Sequence, residues 1–84
     1  METNAKVSPK KLAFFADARK LRKFINDNPD LTMAELRTKI RLGSPVWMLL
    51  YWLTARNYVS KETVGVEDNE KNVYRVVKME TFAT

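Results

Sequence analysis

Two signals for the start of a helix lie close together in the middle of the chain, and they constrain the fold more than any other feature. In the first, Thr32 and Glu35 have the spacing of a capping box, in which each side chain accepts a hydrogen bond from the other residue's backbone N–H. We expect this helix to span about residues 33 to 42. Gly43 is expected to end it, because glycine readily adopts the left-handed conformation that follows many helices.

The second signal follows directly after this stop. Ser44 and Pro45 match the N-cap and the first helical position, where a serine hydroxyl accepts from a free amide and proline loses no hydrogen bond. A third helix is therefore expected to run to about Asn57. Two helices joined by so short a turn form a helix-turn-helix. The residues expected to face the core from the third helix recur at helical spacing: Val46, Leu49, Leu50 and Leu53.

A longer helix is predicted before this pair. Ser8 and Pro9 again provide an N-cap and a first helical position, and helical spacing continues from Lys10 to about Asn28, where Pro29 disfavours helical geometry. The apolar residues of its expected core stripe are Phe14, Ala18, Leu21, Phe24 and Ile25.

After the third helix, apolar residues alternate with polar ones, which is typical of β-strands. Residues 58–66 and 72–78 are predicted to form a hairpin around the polar turn 67–71. The predicted fold is therefore α+β, mainly α: a three-helix core with a helix-turn-helix, followed by a two-stranded β-hairpin wing. We expect one domain over residues 1–84, with tails at 1–8 and 80–84, although Phe82 is apolar enough to pack onto the core.

Composition excludes several functional classes. The 84 residues include no Cys and no His, so disulfides, thiolate chemistry and the commonest general base and metal ligand are all missing. We therefore expect no enzymatic activity, no small-molecule substrate, no cofactor and no metal site. The longest apolar run, residues 46–53, is far shorter than the ~20 residues that cross a bilayer. A soluble cytoplasmic protein without a membrane partner is expected.

The net charge of +5 is unevenly distributed along the chain. Residues 1–43 hold ten basic and five acidic side chains, whereas residues 44–84 hold five of each, so the whole excess lies in the first half. Such an imbalance favours a basic surface for an anionic partner. A solvated face without a partner is an equally valid interpretation at this stage.

Two segments resemble the winged helix-turn-helix DNA-binding domain family. Residues 31–36, Leu-Thr-Met-Ala-Glu-Leu, are similar to the opening of the second helix in many bacterial regulators. Residues 53–59, Leu-Thr-Ala-Arg-Asn-Tyr-Val, resemble the end of their recognition helix, and Asn57 stands where the family often has a left-handed Gly. The resemblance extends over about residues 10–79, and the apolar third helix is most similar to that of the fimbrial-operon co-regulators. It implies transcription regulation on double-stranded DNA by a small regulator of bacterial, phage or plasmid type.

The third helix departs from that pattern because it is apolar almost all the way round, with no charge before Arg56. In one interpretation the rest of the fold buries it more fully, with Tyr74 or Phe82 covering one tryptophan. In another it docks a protein partner or a second copy, because aromatic residues and Met are enriched at interfaces. In a third, its rings stack on nucleic-acid bases. The residues of this candidate partner-binding face are Trp47, Met48, Tyr51, Trp52 and Ala55.

Candidate DNA contacts are basic side chains and the amides at the start of the third helix, which would suit a phosphate. These candidates are Arg19, Lys20, Arg22, Lys23, Arg37, Lys39, Arg41, Ser44 and Arg56. The wing turn argues against a DNA contact there, because Glu67, Asp68 and Glu70 would repel phosphates. Two functions follow: a DNA-binding regulator that acts as a dimer or beside a co-regulator, or a winged-helix protein–protein interaction module that no longer reads the DNA groove.

Overall fold

Three helices are followed by an antiparallel β-hairpin in the computed structural model, which describes residues 8–82. This confirms the predicted α+β fold class and its winged-helix arrangement. The elements, in chain order, are α1 (Pro9–Asp27), α2 (Met33–Lys39), α3 (Val46–Ala55), β1 (Val59–Val64), a single 3₁₀ turn (Glu67–Asn69) and β2 (Lys71–Val76). Of the predicted tails at 1–8 and 80–84, residues 1–7 and 83–84 lie outside the described residues.

The start of α1 follows the predicted capping chemistry. The Ser8 hydroxyl accepts a hydrogen bond from the Lys11 N–H at 3.2 Å, and Pro9 occupies the first helical position. The helix ends at Asp27, and Asn28 leaves helical geometry immediately before Pro29. Local sequence alone therefore sets both ends of this helix.

The capping box of α2 is also confirmed, with Thr32 N–H donating to Glu35 Oε1 at 2.9 Å and Glu35 N–H donating to Thr32 Oγ1 at 3.2 Å. The helix nevertheless ends at Lys39, so the prediction that it continues to 42 and stops at Gly43 is wrong. Ile40 is already extended, with φ −133° and ψ 140°. Alternate residues of an extended segment share a side, so Ile40 and Leu42 both pack against the core. A continued helix would place these two residues on different sides.

The turn into α3 differs from the prediction as well. Pro45, not Ser44, is the N-cap, and no side chain caps this helix. The far end agrees with the prediction more closely. Asn57 adopts the expected left-handed conformation, with φ 64°, and the following Tyr58 N–H donates to Leu53 O at 2.9 Å.

The hairpin pairs β1 with β2 from Val59 opposite Val76 to Val64 opposite Lys71. Both strands are shorter than predicted, and the connecting turn occupies residues 65–70. A short third segment also joins β2, because the Tyr74 N–H donates to Leu31 O at 3.2 Å. The turn before α2 is thereby attached to the wing, and the helices and the hairpin share one core.

That core lies between α1, α3 and the base of the hairpin, and it includes the predicted stripe of the third helix. Its buried apolar residues are Ala18, Leu21, Ile25, Leu36, Val46, Leu49, Leu50, Leu53, Tyr58, Val59, Val73, Tyr74 and Phe82. Phe82 is only 7% exposed, so residues 80–82 are not a free tail, and the expectation that Phe82 packs onto the core is confirmed. Among the described residues, no helix has the length and hydropathy needed to cross a membrane.

Candidate functional site

The outward side of α3 is an exposed apolar surface. Trp47 is 58% exposed, Tyr51 is 72% exposed, and Met48 and Ala55 are also exposed. These four residues, which we call the outer face of α3, lie opposite the buried stripe because helical residues three or four apart share a side. No residue of α3 carries a charge. Of the two tryptophans in the helix, the structure therefore exposes Trp47.

Trp52 does not belong to the outer face, so the prediction that it shares one surface with Trp47, Met48 and Tyr51 is wrong. Its ring packs edge-on against Phe82, with centroids 5.0 Å apart, and stacks on Tyr58 at 5.9 Å. Phe14 and Phe15 contact it from α1 at 5.8 and 5.6 Å. The prediction that Phe82 covers one tryptophan is confirmed for Trp52, which is half-buried.

A groove of about 210 Å³ borders the outer face where α3 meets the hairpin. Trp47 and Tyr51 line it together with Met33 from α2, Lys61 from β1 and Tyr74 from β2. The sequence did not single out Met33 or Lys61, because only tertiary packing brings their elements beside α3. Burial raises the pKa of the Tyr74 hydroxyl above its ordinary value.

A basic groove of about 560 Å³ lies between the end of α2 and the start of α3. Arg37 and Arg41, both exposed, line it, and no acidic residue of the described part of the chain does. The groove is also lined by Val46, the first residue of α3, so the N-terminal end of that helix borders it. Lys39 is exposed on the same helix but does not line the groove. The structure thus brings together Arg37, Arg41 and the α3 N-terminus, as a phosphate site requires.

The Ser44 amide cannot serve as the predicted phosphate donor. It donates a hydrogen bond of 2.9 Å to Asp17 Oδ2, a carboxylate that α1 places against the turn. An anion at this amide would have to displace an existing charge-assisted bond and approach a carboxylate. Ser44 lines the basic groove, but its N–H is already used.

Arg22 is a structural residue, and its assignment as a DNA contact is wrong. Its side chain is buried, with 5% exposure, and Nη1 donates to Glu80 O at 2.7 Å and to Lys78 O at 3.3 Å. The guanidinium also lies over the Phe82 ring, 4.4 Å from its centroid. Burial lowers the pKa of Arg22, but an arginine remains charged at any physiological pH. The residue fastens the C-terminal segment onto α1.

The remaining basic residues of α1 lie away from the basic groove. Arg19, Lys20 and Lys23 are exposed, and helical spacing places them on the side of α1 opposite the surface that packs against α3. Lys23 also forms a salt bridge of 2.9 Å with Asp27. The exposed basic residues of α1 therefore lie apart from Arg37 and Arg41, which line the basic groove at the start of α3.

Arg56 belongs to a third surface, at the opposite end of α3 from the basic groove. Its guanidinium lies 5.0 Å from the Trp52 ring centroid. Phe14, Phe15 and Trp52 form the floor of a groove of about 410 Å³, and the rim consists of Arg56, Lys10 and Lys11. We call this the aromatic groove. Lys10 and Lys11 belong to the excess of basic residues in the first half of the sequence. No local sequence pattern indicated that they would line the same groove as Arg56.

The tip of the wing, residues 65–70, is acidic and exposed, as the sequence predicted. Glu67, Asp68 and Glu70 form no salt bridge within residues 8–82. The same stretch of the chain contains no cluster of three or more side chains suited to a metal ion.

Comparisons of the chain with models of known protein families, with curated proteins and with solved structures find no match. Function is therefore inferred from the outer face of α3, the basic groove, the aromatic groove and the fold.

Proposed function

We propose that the protein is a small winged-helix DNA-binding regulator of transcription that works in the cytoplasm as a dimer or beside a co-regulator. The observation that carries this proposal is the basic groove, in which Arg37 and Arg41 flank the start of α3 without any carboxylate among the lining residues. Guanidinium groups bind phosphate oxygens through two parallel hydrogen bonds, and helix N-termini favour anions. A duplex backbone fits this chemistry, with Lys39 available on the same helix.

The chain by itself would read little sequence. Sequence is read by hydrogen bonds to base edges, and Trp47, Met48 and Tyr51 offer mostly apolar contacts, such as those to a thymine methyl group. Affinity would then come from phosphates, and it would depend strongly on salt. Selection of a particular site would require a second protein, for which the outer face of α3 provides an exposed aromatic surface next to the DNA-binding groove.

The test is fluorescence anisotropy of a labelled duplex pool of mixed sequence, titrated with protein across a salt series. We expect submicromolar binding at low salt that weakens steeply as salt increases. Replacing both Arg37 and Arg41 by Ala should reduce the slope of log affinity against log salt by about 1.8, because each lost phosphate contact removes about 0.9.

The matched control replaces Arg19 and Lys20 by Ala, which removes the same charge from the far side of α1. This variant should retain the slope of the unmodified protein. An unchanged affinity and slope in the Arg37 and Arg41 variant would refute the assignment of the basic groove.

A protein–protein interaction module is the second candidate function. The uncharged outer face of α3 favours it, because residues that read DNA are normally polar or basic at this position, and the acidic wing tip favours it too. The same titration separates the two functions. Binding no tighter than the ~10⁻⁴–10⁻⁶ M of a non-specific basic surface at physiological salt would favour the interaction module.

A further inference from the structure

We propose that the aromatic groove is a self-association site that receives the wing tip of a second copy of this chain. The groove combines three aromatic rings, contributed by Phe14, Phe15 and Trp52, with a rim of three cations. The wing tip combines an exposed valine, Val66, with three exposed carboxylates. The two surfaces are complementary in charge and in apolar character, and neither is used by the proposed DNA contact.

The groove suits an acidic, partly apolar occupant. Its rings keep exposed surface because Phe14, Phe15 and Trp52 are each only half-buried. No carboxylate lines it, and Lys10 and Lys11 form no salt bridge within residues 8–82. Cations above an apolar floor are poorly screened once water is displaced, so opposite charges on an occupant would be attracted strongly.

The wing tip has the matching composition and a defined shape. Val66 is 71% exposed, and Glu67 and Asp68 follow it directly in the chain. The turn is held by hydrogen bonds from Asn69 N–H to Val66 O at 2.9 Å and from Glu70 N–H to Glu67 O at 3.2 Å. A preorganised turn loses less entropy on binding than a mobile loop.

Gly65 makes this turn shape possible. Its φ is +104°, and a Cβ at this position would collide with the Asn69 carbonyl oxygen. Only glycine adopts such a conformation without strain.

One molecule cannot bring its own wing tip to its own groove. Trp52 stacks on Tyr58, the residue immediately before β1, so the groove lies at the base of the hairpin. Six strand residues at ~3.3 Å each place the tip about 20 Å from that base. The contact must therefore join two molecules, and because it joins two different surfaces it is head-to-tail and extends into chains or rings. A tip in a groove buries little area, so the association should be weak.

The experiment is sedimentation velocity of the full chain without DNA, over a protein concentration series at low and at high salt. The weight-average sedimentation coefficient should increase with concentration at low salt and fall towards the monomer value at high salt. A wild-type chain that stays monomeric at every concentration would overturn the proposal and leave the groove to a foreign acidic partner.

Two charge-reversal variants test the surfaces separately. The tip variant carries Asp68→Lys with Glu70→Lys, and the groove variant carries Lys10→Glu with Lys11→Glu. The groove variant should fold, because acidic residues in a first helical turn favour the helix. Each variant alone should associate at least tenfold more weakly than wild type, since like charges then face each other.

Mixing the two variants gives the decisive result. The groove of the tip variant and the tip of the groove variant are both intact, and the reversed tip and the reversed groove also carry opposite charges, so the mixture should regain the association that neither variant shows alone. A mixture that stays monomeric contradicts the proposal.

Two further variants complete the design. Arg19→Glu with Lys20→Glu makes the same charge change elsewhere on α1, and it should associate like wild type. Val66→Ser keeps all charges and should weaken association. This result would distinguish a specific contact of Val66 with the aromatic groove from general charge attraction. If the tip and groove variants still form wild-type oligomers, association uses another surface, such as the outer face of α3, and this proposal fails while the DNA-binding proposal stands.

Discussion

Removal of the Phe82 ring should destabilise the whole domain, although the residue is only two positions from the last residue of the given sequence. The ring is buried against Trp52 and Tyr58, with centroids 5.0 and 4.8 Å away, and the Arg22 guanidinium covers it at 4.4 Å. Replacement of a core Phe by Ala costs about 3–5 kcal/mol. Native stability of about 0.05–0.15 kcal/mol per residue gives a chain of this length roughly 4–13 kcal/mol. Phe82→Ala therefore removes a large share of the total.

The measurement is urea unfolding followed by far-UV circular dichroism, because the helices report on the whole fold. With a slope of about 1.5 kcal/mol per molar urea, a loss of 3 kcal/mol lowers the midpoint by about 2 M. If Phe82→Ala is unfolded without urea, Phe82→Leu keeps most of the apolar volume and should cost no more than about 1.5 kcal/mol. Met79→Ala is the control, since Met79 is exposed and should change stability by less than about 0.5 kcal/mol. A loss below about 1 kcal/mol for Phe82→Ala would show that the C-terminal segment is not part of the core.

Three further predictions concern local features of the fold. Thr32→Ala removes the α2 cap and should lower the free energy of unfolding by about 1 kcal/mol in the same urea assay, and no change would mean that the capping box is dispensable. Hydrogen bonds from Arg75 lower the pKa of Asp30, so their stabilisation is complete above the ordinary pKa of Asp and is lost as pH falls through the lowered value. Asp30→Asn should therefore destabilise the domain near neutral pH and by progressively less as the pH falls below the ordinary pKa of Asp, and an effect that does not change with pH would contradict the assignment. Trp47→Ala should change stability by less than about 0.5 kcal/mol, whereas Trp52→Ala should cost at least about 2 kcal/mol, and the reverse order would refute the exposure of Trp47.

Interactions between neighbours in the chain made most of the fold predictable. The capping box of Thr32 and Glu35 and the start of α1 at Ser8 and Pro9 depend on residues a few positions apart. The same holds for the left-handed Asn57 and for the change from helical to alternating spacing after it. The order of elements, and hence the fold class, follows from these local signals.

Part of the candidate site was predictable for the same reason. Helical spacing places Met48, Tyr51 and Ala55 opposite a clear core stripe with Trp47 and Trp52 on either side, but it could not show which tryptophan is exposed. The exposure of Arg37 follows from the spacing of α2 in the same way, whereas Arg41 lies beyond the end of that helix. What spacing could not show is that these two arginines share a groove with the start of α3.

Only the tertiary structure decided how residues far apart in the chain use their polar and aromatic groups. The Ser44 amide pairs with Asp17 across 27 positions, and Pro45 is the N-cap of α3 in place of the serine that local sequence favours. Arg22 looks like any surface arginine of an amphipathic helix until carbonyls 56 and 58 positions away accept its hydrogen bonds. The sequence by itself determined which segments form helices and strands and in what order, because that depends on backbone geometry and near neighbours, but it did not determine the end of α2 or the cap of α3. Whether a cation or a tryptophan ring is buried depends on the free energy of removing it from water. That free energy depends on which polar and aromatic groups the fold places next to it.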